Sequence, residues 1–98
     1  MIMAEPRGSV PGPHDEHQIT FYGLSTCIWC RKTRQFLEEQ GVKFDYVYLD
    51  LLHGEEREDM KEQVRRWNSA VSFPTIVIDN EQSVTGFKPD KLKETLGL

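Results

Sequence analysis

The chain has 98 residues, enough for one small domain. Sixteen acidic against twelve basic side chains leave a formal net charge of −4, which argues against nucleic acid or an anionic membrane as the main partner, because both select a basic face. No apolar run approaches the roughly 20 residues that span a bilayer, and the first residues lack the unbroken apolar stretch of a secretion signal, so a cytoplasmic protein is expected.

Residues 1–17 hold three of the five prolines, two of the seven glycines and no periodic apolar pattern, so they are expected to form a flexible tail ahead of a domain over 18–98. Ile19-Thr20-Phe21-Tyr22 is β-branched and aromatic and is closed by Gly23, which predicts a strand. Ser25-Thr26 offers cap chemistry before a helix from about Cys27 to Gln40, with Gly41 as its stop. Phe44 to Leu49 alternates in part and predicts a second strand. After His53-Gly54, where the histidine suits a cap or surface position, Met60, Val64 and Trp67 mark one stripe of a helix over about 55–68. Glu55, Glu56 and Glu58 near its start and Arg65 and Arg66 near its end complement its dipole. Thr75-Ile76-Val77-Ile78, a turn at Asp79-Asn80-Glu81 and Ser83-Val84-Thr85 predict a hairpin. Pro89 then opens a last helix with Leu92 and Leu96 on one side. The order β-α-β-α-β-β-α predicts an α/β fold, a four-stranded mixed sheet flanked by helices, with the first two strands parallel.

Cys27 and Cys30 are the whole thiol inventory. A bridge across so short a loop would supply only about 2 kcal/mol, so a bond between them is expected to be made and broken rather than to staple the fold. Cys27 opens a helix, where unpaired N–H groups and the dipole favour negative charge on sulfur. Cys30 lies on the same helical face, within disulfide reach and one turn deeper. These positions assign Cys27 as the attacking thiolate and Cys30 as the resolving thiol. Arg31 and Lys32 either raise the local positive potential or are ordinary solvated charges. Ile28 and Trp29 suit a docking surface, with packing of Trp29 on a neighbouring loop as the alternative. A metal clip is the competing use of the pair: His14 and His17 form H-x-x-H, but their spacing fits a Cys₂His₂ site poorly. A cluster shared between two chains through Cys27 is the alternative function.

Cys27-Ile28-Trp29-Cys30 after Phe21-Tyr22, Ser72-Phe73-Pro74 before a strand, and Gly86-Phe87 after a hairpin together resemble the glutaredoxin branch of the thioredoxin fold, over about residues 19–97. The resemblance implies that Pro74 is a cis-proline facing the cysteines, leaving the Phe73 backbone to pair with a substrate chain. It also marks Ile28, Trp29, Phe73, Pro74, Gly86 and Phe87 as substrate-binding residues. Gly86-Phe87-Lys88-Pro89-Asp90 resembles the G-F-[KR]-P-D signature of the NrdH redoxins, glutaredoxin-like members reduced as thioredoxins are. Leu24 stands where glutathione-using members commonly carry a Lys. The resemblance therefore implies a thiol–disulfide oxidoreductase acting on protein disulfides, a monomer with no cofactor beyond the Cys27–Cys30 disulfide. Its electron donor is expected to be either glutathione or a thioredoxin-reductase-like enzyme.

Overall fold

The computed structural model of the chain describes residues 5–98. Its first element is a strand, β1 (Arg7–Val10), inside the segment that the sequence assigns to a tail. The remaining elements are β2 (Ile19–Gly23), α1 (Ile28–Glu39), β3 (Phe44–Tyr48), α2 (Gly54–Trp67), β4 (Thr75–Ile78), β5 (Gln82–Thr85) and α3 (Pro89–Leu96), with a 3₁₀ turn at Leu49–Leu51. The sheet therefore has five strands, in the order β1-β3-β2-β4-β5, not the expected four. β2 and β3 run parallel, and every other neighbouring pair is antiparallel.

β1 escapes a pattern search because its contribution is backbone rather than apolar surface. It covers the open edge of β3, whose N–H and C=O groups would otherwise lack protein partners. Arg7 is registered against Val47 and Val10 against Phe44. Residues on either side are tied in as well: Tyr48 N–H donates to the Pro6 carbonyl (2.7 Å), His14 N–H to the Gly41 carbonyl (3.0 Å) and Lys43 N–H to the His14 carbonyl (2.9 Å). Gly12 permits the approach, since a Cβ there would lie 2.5 Å from the Gly41 carbonyl oxygen. Arg7 also reaches Glu56 of α2 (2.9 Å).

Two apolar layers sandwich the sheet. Ile19, Phe21, Phe44, Ile76, Ile78 and Val84 meet Cys30 and Leu37 of α1 and Leu92 and Leu96 of α3 in one. Val47, Leu49, Leu52 and Val64 of α2 form the other, with Met60 packed beside them. All four residues of β4 are buried, as an interior strand covered on both faces requires. The helix stop read from the sequence is in place, Gly41 (φ +70°) after α1, and Gly97 (φ +71°) caps α3. At the hairpin, Asp79 and Asn80 both have positive φ (55° and 53°), and Glu81 N–H donates to the Ile78 carbonyl at 3.1 Å.

Candidate active site

The loop from β2 to α1 delivers the two cysteines, both reduced thiols. The first turn of α1 is capped by Cys27 itself, not by Ser25 or Thr26: its backbone is extended, and its sulfur accepts the Cys30 N–H at 3.2 Å. A sulfur in that position satisfies one of the free amides of the helix start and lies in the positive end of its dipole. Cys30, 1% exposed, belongs to the core cluster, whereas Cys27 is half-buried at its margin. Gly23 makes room for it, because a Cβ there would lie 3.3 Å from the Cys30 Cβ and 2.8 Å from the Phe21 ring. The Leu24 N–H points at the Cys30 sulfur (3.5 Å). Burial pushes the Cys30 thiol up to about 12, and its bond with the Cys27 sulfur adds to the rise. The pair is thus asymmetric, with one sulfur accessible at a helix start and one held protonated behind it.

Beside Cys27 the surface is apolar. Ile28 (55% exposed) and Trp29 (53%) are, with Leu98, the large hydrophobic residues that stay exposed among the described residues. The Trp29 ring stacks on Phe87 (centroids 6.0 Å apart, planes at 25°), and Phe87 meets Phe36, two turns further along α1, edge-on at 6.4 Å. Trp29 therefore does pack on a neighbouring loop, and it remains half open to solvent. The Lys32 ammonium lies 5.4 Å from the Trp29 ring centroid, a cation–π distance.

Trp29, Phe73, Pro74, Gly86 and Phe87 line one groove of about 270 Å³. Five of the six residues singled out as substrate-binding thus converge from three separate segments, while Ile28 stands outside the groove. The Phe73–Pro74 peptide is cis. The Pro74 carbonyl accepts the Gly86 N–H (2.8 Å), joining the two loops. Asn68, just past α2, steadies the approach to Pro74 by donating to the Ser72 carbonyl (3.1 Å) and hydroxyl (2.8 Å), and Thr75 donates to the same carbonyl (2.8 Å).

Asn68 and Asp50 are the polar residues of the site that sequence reasoning missed. Asp50, in the 3₁₀ turn after β3, accepts the Ser25 N–H at 2.8 Å through one carboxylate oxygen and the Ser25 hydroxyl through the other. The only trace of it in the sequence is one acidic residue among Leu49, Leu51 and Leu52. His17 pairs with Asp79 at 2.7 Å. Among the described residues no three His, Cys, Asp or Glu side chains converge to hold a metal ion, and no helix is long and apolar enough to cross a membrane.

The family model "Glutaredoxin" matches residues 19–83. The crystal structure of the glutaredoxin from Methanosarcina mazei Go1 is 47% identical, with a TM-score of 0.89, over 96% of this chain and 90% of that one. The methanoredoxin of Methanosarcina acetivorans is 46% identical, with a TM-score of 0.85, over 89% and 90% of the two chains. The glutaredoxin-like NrdH-redoxin of Escherichia coli, described as having a thioredoxin-like activity profile, shares the fold at 23% identity, with a TM-score of 0.63 over 79% of this chain and 92% of that one.

Proposed function

Because this chain belongs to the glutaredoxin family of thiol–disulfide oxidoreductases, we propose that it is an electron carrier that reduces disulfide bonds in other proteins, with Cys27 as nucleophile and Cys30 as resolving thiol. The observation that carries this reading is the asymmetry of the pair: the Cys27 sulfur caps α1 beside an open apolar groove, while Cys30 is sealed in the core and pushed up to about 12. The Cys27 thiolate attacks one sulfur of the target disulfide, forming a mixed disulfide and expelling the other sulfur as a thiolate. Cys30, after loss of its proton, attacks the Cys27 sulfur, closing the internal disulfide and releasing the second target thiolate. Two electrons pass to the target, and an external donor restores the dithiol.

An exposed indole and isoleucine flanking the nucleophile suit a protein segment laid along the groove, its backbone pairing with Phe73, better than a small, highly charged thiol. The reading places the protein in the cytoplasm, where thiols stay reduced, acting as a monomer. Leu24 and the Gly86-Phe87-Lys88-Pro89-Asp90 segment favour a flavin-dependent thioredoxin-type reductase over glutathione as donor.

The test is insulin reduction driven by each donor in turn. Cys27→Ser is expected to abolish turnover, and Cys30→Ser to accumulate mixed disulfides visible on non-reducing gels. Full turnover by the Cys27→Ser protein would overturn the assignment. Faster recycling by glutathione than by the reductase would reverse the choice of donor. A coloured, iron-containing protein after anaerobic purification would favour the alternative, a cluster carried through Cys27 by two chains.

A further inference from the structure

Asp50 takes no part in the exchange itself, yet it is bound to the loop that leads from β2 into the helix turn bearing both sulfurs. Its carboxylate holds Ser25 by the amide N–H (2.8 Å) and by the hydroxyl. The turn that presents it is itself anchored: the Arg57 side chain of α2 donates to the Leu52 carbonyl (2.9 Å) and to the Asp50 carbonyl (3.4 Å). On the other side of Ser25, the Leu24 N–H is directed at the Cys30 sulfur (3.5 Å), and the Leu24 carbonyl accepts the Cys27 N–H (3.2 Å). A continuous set of bonds thus runs from α2 through Asp50 and Ser25 to the amide that faces the resolving thiol.

From this geometry we infer that Asp50 is a positioning residue for the resolving half of the exchange: by clamping Ser25 it aims the Leu24 amide at the Cys30 sulfur, where that N–H stabilises the thiolate that attacks the mixed disulfide. The inference rests on the assignment of Cys30 as the resolving thiol. It adds a second, opposing effect of the same carboxylate. The titratable groups acting on Cys30 are the Cys27 sulfur, at the start of its own helix, and Asp50, across the β2–α1 loop, and both disfavour its negative charge. The tether therefore speeds resolution while the charge confines it to a higher pH.

These two effects separate by substitution. Asparagine retains a side-chain acceptor for the Ser25 N–H but carries no charge, alanine removes both, and Ser25→Ala removes only the hydroxyl bond. The probe is the symmetrical disulfide of thionitrobenzoate. The Cys27 thiolate attacks it, forming a mixed disulfide and expelling one coloured thiolate; Cys30, its proton lost to solvent, then closes the internal disulfide and expels the second. The protein loses two electrons and the reagent gains them. In stopped flow, Asp50→Ala is expected to slow the second release about tenfold relative to the first, the scale of one lost hydrogen bond to a charged group. Asp50→Asn is expected to restore much of that rate and to move the pH midpoint of the second phase downward. Ser25→Ala, which loosens the tether and keeps the charge, should slow the second phase and move its midpoint upward. A second-to-first ratio unchanged in Asp50→Ala, or a midpoint unmoved in Asp50→Asn, would overturn the inference. A wild-type protein that releases only one thiolate would overturn it together with the assignment of Cys30 beneath it, and would be recognised before any variant is compared.

Discussion

At the scale of single residues, the chemistry is divided between two sulfurs three positions apart. Cys30 is buried and pushed up to about 12, so at neutral to mildly alkaline pH alkylation should modify Cys27 alone, and the second label should enter only on denaturation. Mass spectrometry at pH 8 with and without denaturant checks this, and two labels on the native protein would contradict it. The same shift has a sign in stability. The unfolded thiol loses its proton near about 8.5, whereas the folded one keeps it, so the reduced protein should lose stability as pH rises from that value toward about 12. Urea titrations of wild type and Cys30→Ser across this range isolate the contribution. The placement of the two cysteines, one at the helix start and one a turn deeper, was legible because a strand-to-helix junction is written in local sequence. Asp50 was not, since it meets Ser25 only after β3 has crossed the sheet to lie beside β2, and an acidic residue after a strand carries no signature of its partner.

At the scale of elements, the strands and helices with their own apolar period were readable, and β1 was not. Its four residues include a single aliphatic side chain, Val10, and what holds it is the unfilled edge of β3, a requirement of the assembled sheet rather than of the segment. Gly12→Ala, which drives a methyl against the Gly41 carbonyl, should cost about 1–3 kcal/mol in urea unfolding; an unchanged midpoint would show that this stretch yields freely. A second tie to the same region is His17 with Asp79. The bond to Asp79 raises the histidine above its ordinary 6.5, and the bond to His17 lowers the aspartate below 3.8. The histidine's contribution is whole below 6.5 and fades as pH climbs through its folded value, while the aspartate's is whole above 3.8 and fades as pH falls through its own. Asp79→Asn should therefore lower the melting temperature most between about pH 4 and 6 and progressively less above pH 7, and a deficit that grows with pH would reverse the assignment.

At the scale of the whole molecule, the sheet gathers pieces far apart in the chain at one end: Trp29 from the first turn of α1, the cis-proline loop and the Gly86-Phe87 turn surround one groove. The parallel pairing of β2 with β3 and the β4–β5 hairpin make that gathering possible, and both followed from element order alone. The aromatic stack did not, because stacking of Trp29 on Phe87 depends on how α1 lies against the turn after β5. That stack also makes the molecule its own optical reporter. Of the two tryptophans, Trp67 sits on α2, while Trp29 stands between the two cysteines in sequence. Closing the bridge should therefore change indole emission through quenching by the neighbouring disulfide. Trp29→Phe should abolish the change, so the redox state would be followed continuously without a label.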